Sequence, residues 1–352
     1  IASVAMVKLN GGLGTSMGCT GPKSLIKCSP DGRTFLDIIV SHYQQNQQIT
    51  DLIFLNSFNT SQQTTDHLNN NYPSLVWSEV MQLPFKKVDQ ATGQPFDSDL
   101  PKYMNPPGHG SIYYDLYHSG ILHKLQEKGV EYLFISNADN LAANVDPYIA
   151  SYLQGSDIDF LIELTEKFDS DKKGGTVINY NGQLKLWESA QVADDQTQLF
   201  EEQPVFNTNN IWVNIESLIQ TISKESLTLD LILNKKSDAD HQWVQLEYAM
   251  GSAIQSFSNA QAMAVPRSRF FPIKKVSDYL LLLSDFTEFD DHSNLNWDLS
   301  KRPMIECHHP FQSVGSFDDY FSVIPSLKNV SHLEIGGELF FDSFVRLNGN
   351  LR

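Results

Sequence analysis

Cysteine is the scarcest reactive residue in this 352-residue chain: there are three, Cys19, Cys28 and Cys307. An odd count without paired spacing fits neither a disulfide framework nor a zinc site. That excludes a disulfide-stapled scaffold and points to a reducing compartment, the cytoplasm. Cys307-His308-His309 has a metal-like composition, but structural zinc takes four ligands and no second Cys/His pair accompanies it, so a loop is expected. Positive charge is also short, with 25 Lys and Arg against 42 Asp and Glu and a net charge of -17. Such a surface repels nucleic-acid phosphates and anionic membranes, so neither is expected as a partner. Long apolar runs are missing: none approaches the roughly 18 residues of a membrane span, and no signal peptide is legible. Asn59-Thr60-Ser61 and Asn329-Val330-Ser331 fit the glycosylation pattern, which arises often by chance. The chain begins at Ile1 inside a strand-like run, the pattern expected of a piece of something longer.

What is present is a large apolar fraction, 41% hydrophobic and 11% aromatic, enough for one large core or two. Residues 1–9 (IASVAMVKL) read as a buried strand, and Thr34 to Gln45 carries apolar residues at helical spacing. Asp51 to Ser57 and Leu75 to Gln82 read as further strands, with an exposed helix between them over Thr60 to Tyr72, capped by Thr60 or Ser61. A long polar loop, Leu83 to His109, follows. Ser111 to Gly129 reads as one helix stopped by Gly129, and Glu131 to Asp139 as a strand with a polar end. This alternation predicts a mostly parallel sheet covered on both faces. The rhythm then changes. Asp157 to Lys167 and Gly175 to Glu188 alternate as antiparallel strands of an annexed sheet, with Asn181-Gly182 as a hairpin turn. From Ser326 short apolar triplets spaced by Gly and Asn resemble the opening of a β-helix.

Between the first strand and the first helix stands LNGGLGTSMGCTGPKS, Leu9 to Ser24. Glycines there let backbone N–H groups approach an anion, and a helix N-terminus adds a favourable dipole. With so negative a chain, any anionic ligand must be held by a few local cations, so Lys23 matters individually. Two familiar phosphate loops fail on spacing. Gly12-Leu13-Gly14-Thr15-Ser16-Met17-Gly18 has one residue too many for G-x-G-x-x-G, and Gly21-Pro22-Lys23-Ser24 interposes a proline in the triphosphatase pattern. What remains is a longer loop that presents a lysine on a Gly-Pro support of fixed φ.

This loop resembles the nucleotide-binding loop of the eukaryotic-type UTP–glucose-1-phosphate uridylyltransferases (UDP-glucose pyrophosphorylases). The likeness continues in order through PPGHGSIY (Pro106 to Tyr113), SNADNL (Ser136 to Leu141), KGGT (Lys173 to Thr176), FNTNNIW (Phe206 to Trp212) and VPRSRFFPIKKVSDYLL (Val265 to Leu281). It implies an α/β, Rossmann-like (glycosyltransferase-A-like) sheet, mixed but mostly parallel, with an annexed antiparallel sheet. The implied catalytic domain is 1–322, with a sugar-binding insertion at about 157–215, and 323–352 begins a C-terminal β-helix, apparently truncated. The implied reaction converts MgUTP and glucose 1-phosphate to UDP-glucose and pyrophosphate, reversibly, with Mg²⁺ as cofactor. Family members can also assemble as homo-oligomers through the C-terminal region.

The same resemblance implies the site residues. Lys274, in FPIK, is the principal catalytic lysine at the transferring phosphate, and Lys23 meets the triphosphate. Leu9, Asn10, Gly11 and Gly12 supply backbone contacts to UTP, Gln82 reads the base edge and Gly108 adds another backbone contact. Asp139, at a strand end where ligands gather, is the metal ligand; Mg²⁺ takes one or two carboxylates plus phosphate oxygens and waters. Asn137, two residues earlier, faces the same side and contacts the sugar nucleotide. His109 stands beside the sugar phosphate. Gly175, Glu188 and Asn209 are the sugar-binding positions, with Asn207 and Asn210 able to exchange roles with Asn209. One departure is Thr20, where many members carry a lysine. Since the sugar phosphate is already an ionised nucleophile, the reaction calls for positioning and charge neutralisation rather than a protein base. The competing readings are a broader-specificity UDP-sugar or UDP-N-acetylhexosamine pyrophosphorylase, disfavoured by the GLGTSMG and FNTNNIW wording, and a catalytically silent nucleotide-sugar binder. Retention of Lys23, Asp139 and Lys274 together speaks against the silent binder.

Overall fold

A computed structural model describes residues 1–168, 171, 174–237 and 242–352. Lys173 of the KGGT motif lies outside the described residues.

The chain runs through β1 (Val4–Leu9), α1 (Phe35–Gln45), β2 (Ile49–Asn56), α2 (Ser61–Asn71), β3 (Ser78–Met81), α3 (Ile112–His118), α4 (Ile121–Glu127) and β4 (Tyr132–Asn137). After these come β5 (Phe160–Glu166), β6 (Gly175–Tyr180), β7 (Gln183–Glu188), β8 (Val205–Asn214), α5 (Ile215–Ser223), β9 (Gln242–Tyr248), β10 (Ala260–Ala264) and α6 (Val276–Leu283). Seven strands make the central sheet in the order β10-β5-β8-β4-β1-β2-β3. Strands β1 to β4 are mutually parallel, β8 runs antiparallel to both its neighbours, and β10 is parallel to β5.

The two faces follow from the period-2 alternation of each strand. Ala5, Val7, Ile53, Ile135, Ile162 and Val213 pack with residues of α3, α4 and α5. Val4, Met6, Phe54, Phe134, Leu161 and Trp212 pack with Leu36, Ile39 and Val40 of α1 on the other face. Helix α1 starts where Thr34 and Asp37 cap each other reciprocally. A third cluster joins Met17 and Phe35 near the glycine-rich loop to Phe271, Leu280, Leu327 and Phe341. It includes the C-terminal parallel strands β11 (Met304–Cys307), β12 (Ser326–Ile335) and β13 (Arg346–Leu351).

Three expectations are corrected. The single helix over residues 111–129 is two helices, because Gly120 adopts φ 76° between α3 and α4. Residues 157–167 do not join the annexed sheet: β5 lies inside the main sheet beside β8, and the annexed pair is β6 with β7, turning at Asn181 (φ 53°) and Gly182 (φ 86°). Alternation alone shows that a strand has two faces, not which sheet receives it. The loop between β3 and α3 also holds short strands, one of which, Val88–Asp89, pairs with β9.

Candidate active site

A cleft of about 410 Å³ lies at the carboxyl ends of the parallel strands, where open α/β sheets bind ligands. It brings together twelve of the expected residues: Leu9, Asn10, Gly11, Gly12, Lys23, Gln82, Gly108, His109, Asn137, Asp139, Asn209 and Lys274. Gly175 and Glu188 stand apart from its lining, cross-strand partners on the annexed hairpin. A Cβ on Gly175 would lie 2.9 Å from the Trp187 carbonyl, so close backbone approach alone requires glycine there. Burial pushes the Glu188 carboxyl up to about 7.

At the centre of the cleft Asp139 is clasped by both lysines. Lys23 Nζ donates to Oδ2 at 2.7 Å, and Lys274 Nζ donates to Oδ2 at 2.8 Å and Oδ1 at 3.1 Å. Burial by itself would raise the Asp139 pKa, but the Lys274 and Lys23 charges outweigh it and hold the carboxyl well below the usual range. Strand β4 ends at Asn137, so Asp139 sits in the turn beyond it rather than on the strand. The turn is fixed by Ala138 N–H to Leu9 O (3.1 Å) and by Ile273 N–H to Asp139 O (3.0 Å). Lys274 enters just before α6, where the Asp278 carboxylate accepts from its backbone N–H at 2.9 Å. Lys23 is placed by its own N–H, which donates to Gly12 O at 3.1 Å.

The rest of the glycine-rich loop offers backbone. Asn10 spends its side-chain amide on Asn56 Oδ1 (2.7 Å) and Thr64 Oγ1 (2.9 Å), behind the cleft. Gly12 is exposed, and a methyl built on it meets no protein atom within 4 Å. Against Gly11, where an added Cβ would lie 2.6 Å from Gln82 Oε1, the Gln82 side chain turns its Nε2 to Gly108 O, donating at 2.8 Å. Gly108 must be glycine for a packing reason, since it has φ 78° and its Cβ would lie 2.8 Å from the backbone N and O of Tyr248. His109 Nδ1 accepts from Met250 N–H at 3.0 Å, which leaves Nε2–H as the ring's donor. Burial, reinforced by the charge of Lys274, lowers the His109 pKa to about 4 and keeps the ring neutral.

The three asparagines of FNTNN separate clearly. Asn209 lines the cleft at φ 59°, in a register irregularity between β8 and β5. Asn207 braces it, donating Nδ2–H to Asn209 Oδ1 and accepting from Asn209 N–H, both at 2.9 Å. Asn210 is buried and donates to Glu163 Oε2 at 3.0 Å, away from the cleft.

Sequence reasoning missed several lining residues, among them Ser24, Asn105, Gln245 and Glu247. Gln245 and Glu247 are two apart on β9 and share a face, a period-2 polar signal. No motif marked it; β9 is carried to the cleft by its pairing with Val88–Asp89, by Tyr248 N–H donating to Pro107 O at 2.8 Å and by the close packing of Gly108 and Gly110 on Tyr248. Ser24 Oγ and Asn105 Oδ1 are buried without hydrogen-bond partners among the described residues. Unpaired polar atoms lining a cleft are satisfied by a ligand or water.

Among the described residues no group of three or more His, Cys, Asp or Glu is placed to hold a metal. One carboxylate beside two cations suits a metal that arrives on substrate phosphates better than a resident one. The unpaired Ser24 hydroxyl beside Lys23 fits the same phosphate-bearing ligand.

A mixed, mostly parallel sheet with a ligand cleft at its carboxyl ends is the arrangement of the glycosyltransferase-A-like nucleotidyltransferase fold, shared with solved UDP-glucose pyrophosphorylases. Comparison with known proteins gives the particular family. The family model for UTP–glucose-1-phosphate uridylyltransferase matches residues 1–348. The enzymes of that name from Encephalitozoon cuniculi and Saccharomyces cerevisiae are 37% and 38% identical, over 100% of this chain and 73% and 74% of their own lengths. A crystal structure of a Leishmania major UDP-glucose pyrophosphorylase variant in complex with UDP-glucose is similar at a TM-score of 0.88 and 34% identity, over 99% of this chain and 80% of that one. The chain belongs to the UTP–glucose-1-phosphate uridylyltransferase family.

Proposed function

We propose that the chain transfers a uridylyl group from UTP to glucose 1-phosphate, releasing pyrophosphate, and that its cleft is where this occurs. The observation that carries the reading is the Lys23–Asp139–Lys274 cluster (2.7 and 2.8 Å) beside the open backbone of Gly12. In the forward direction a sugar-phosphate oxygen bonds to the α-phosphorus, and the bond from that phosphorus to the α–β bridging oxygen breaks. The nucleophile is already an anion, so the chain's work is to bring two anions together and spread their charge.

Lys23 and Lys274 do this work. Both are held on Asp139, and substrate phosphates compete for them. His109, with its proton on Nε2 and its pKa lowered to about 4, donates to the sugar phosphate as a neutral ring at ordinary pH. Asn137 and Asn209 serve the sugar nucleotide, Gln82 the base edge, and Leu9 to Gly12 and Gly108 supply backbone groups. Gly175 and Glu188 on the annexed hairpin serve the sugar hydroxyls. When bound, Mg²⁺ neutralises triphosphate charge, with Asp139 as its protein ligand.

We also assign residues 1–322 to the transferase unit and 323–352 to the start of a β-helix; the parallel pairing of β12 with β13 supports the β-helix character, and β11, before residue 323, is the third strand of the same sheet. A cytoplasmic location is supported by three cysteines present as free thiols. Among the described residues no helix is long and apolar enough to cross a membrane.

The test is pyrophosphate release from MgUTP with a panel of sugar 1-phosphates. Glucose 1-phosphate is expected to be used best. Activity with N-acetylglucosamine 1-phosphate alone would overturn the substrate, and no release with any sugar would overturn the reaction.

A further inference from the structure

Lys274 reaches Asp139 from a segment held by the burial of Phe271 and Ile273, by Asp278 and by the turn after Asp139. One buried ion pair stands at the start of that segment. Glu163, on β5, is fully buried, and Arg269 forks onto it, with Nε to Oε2 at 2.8 Å and Nη2 to Oε1 at 2.6 Å. The remaining acceptor capacity of Glu163 is filled by Asn210 Nδ2 (3.0 Å) and Trp212 Nε1 (2.8 Å), both from β8. The anion is therefore tied to the central sheet on both oxygens. Arg269 uses its other donors on the loop that follows Asp139, with Nη2 to Asn144 O at 3.0 Å and Nη1 to Asp146 Oδ2 at 3.4 Å.

That loop answers in kind. Asn140 Nδ2 donates to Arg269 O at 3.2 Å, and Asn140 Oδ1 accepts from Phe271 N–H at 2.9 Å. The carbonyl of Asp139 accepts from Ile273 N–H at 3.0 Å. The backbone of 269–273 is thus pinned at alternate residues to the turn that carries Asp139, and Lys274 is the next residue. Neither Arg269 nor Glu163 lines the cleft.

We propose that the Glu163–Arg269 pair is the positioning device for Lys274: it locks the 269–273 segment to the Asp139 turn and so fixes where the Lys274 ammonium can stand during transfer. Arg269 and Glu163 are positioning residues, since neither touches the cleft. The planar fork is what makes the arrangement specific. A lysine keeps the charge but cannot satisfy both carboxylate oxygens and the Asn144 carbonyl together. A displacement of about 1 Å at a transferring group can cost roughly 100-fold in rate, so a small slackening here reads out strongly in turnover.

The idea rests on the transfer reaction proposed above, and the experiment separates the two. Arg269→Lys and Glu163→Gln are made in the full chain, alone and in a Lys274→Ala background. Turnover, the KM for UTP and the Tm are measured for each. In the otherwise unchanged chain turnover is expected to fall roughly 10- to 100-fold with the KM for UTP within about threefold. In the Lys274→Ala background the same substitution is expected to cost less than about twofold, because the residue it serves is gone. Equal losses in both backgrounds would mean a general structural role and would overturn the proposal. Glu163→Gln keeps the shape of the site and carries the measurement if Arg269→Lys does not fold. A readout independent of activity is the rate of amine labelling of Lys274, followed by peptide mass spectrometry. Loosening of Lys274 should raise it severalfold in either variant. An unchanged rate sinks the positioning role even if the wild-type chain transfers nothing, and an unreactive wild-type chain sinks only the function.

Discussion

Gly12→Ala separates folding from ligand binding at a single atom. Gly12 is not in the left-handed φ range, and an added methyl would meet no protein atom within 4 Å. Nothing in the fold therefore requires glycine at this position. Replacing it by alanine removes freedom from the unfolded chain and should stabilise the protein by about 0.4–1 kcal/mol. The same methyl projects from the wall of the cleft, beside the segment that carries Lys23. If a nucleotide packs against that backbone, the methyl is an overpacking defect of about 1–3 kcal/mol. At 1.4 kcal/mol per factor of ten, UTP affinity should fall roughly 5- to 150-fold. The two effects have opposite sign, so thermal unfolding and calorimetric UTP titration of one variant suffice. An unchanged UTP Kd would refute the claim that the loop's glycine density serves the nucleotide, and a lower Tm would refute the reading of its backbone. Gly18 is the control: at φ 71° and packed on the Ser313 side chain, its alanine variant should lose stability.

Lys274→Ala should lower turnover by roughly 100- to 1,000-fold while changing UTP affinity little, and an unchanged rate in the pyrophosphate assay would remove Lys274 from the chemistry. Asp139→Asn should raise the Mg²⁺ concentration for half-maximal activity about tenfold or more; an identical Mg²⁺ titration would show that the carboxylate serves only as a counter-ion for its lysines. Burial, with neighbouring Lys274 and Lys8 charges respectively, lowers the His109 and His42 pKa values to about 4. Their folded pKa values lie below the unfolded value of about 6.5, so the stability they confer is complete above pH 6.5 and is lost as pH falls toward 4. Glu188, raised to about 7, works against them, since its protonation favours the folded form as pH falls from 7 to 4.5; two histidines against one carboxyl still leave a net loss on the order of a few kcal/mol. Tm should therefore decline across that window, and kcat/KM should show no His109 inflection near 6.5; a flat Tm from pH 6.5 to 4.5 would contradict it.

Local patterns were legible wherever the physics is local. The apolar run of β1, the helical spacing from Thr34 to Gln45, the Asn181-Gly182 turn and the glycine-rich loop each declare themselves within a few residues. Recognition of the motifs then named the cleft's main residues. Where the reading failed, the deciding contact was distant. Residues 111–129 had continuous helical spacing; the break is the left-handed φ of Gly120, and α3 and α4 then both pack into the core cluster shared with α5. Residues 157–167 alternated as an antiparallel strand should, but their partner is β8 and not the nearer hairpin. Asn207, Asn209 and Asn210 are indistinguishable by type; the register irregularity of β8 sends one to the cleft, one to brace it and one to Glu163.

By itself the sequence determined the alternating strands and helices, the phosphate-type loop, the acidic surface and the identity of the groups able to meet an anion. Tertiary structure decided which of those groups meet. Asp139 is separated from Lys23 by 116 positions and from Lys274 by 135, and Arg269 from Glu163 by 106. Charge and hydrogen-bond energies fall off within a few ångströms. A pair so remote along the chain therefore exists only once the sheet has set its strand order and the loops at the carboxyl ends have been drawn to a common point.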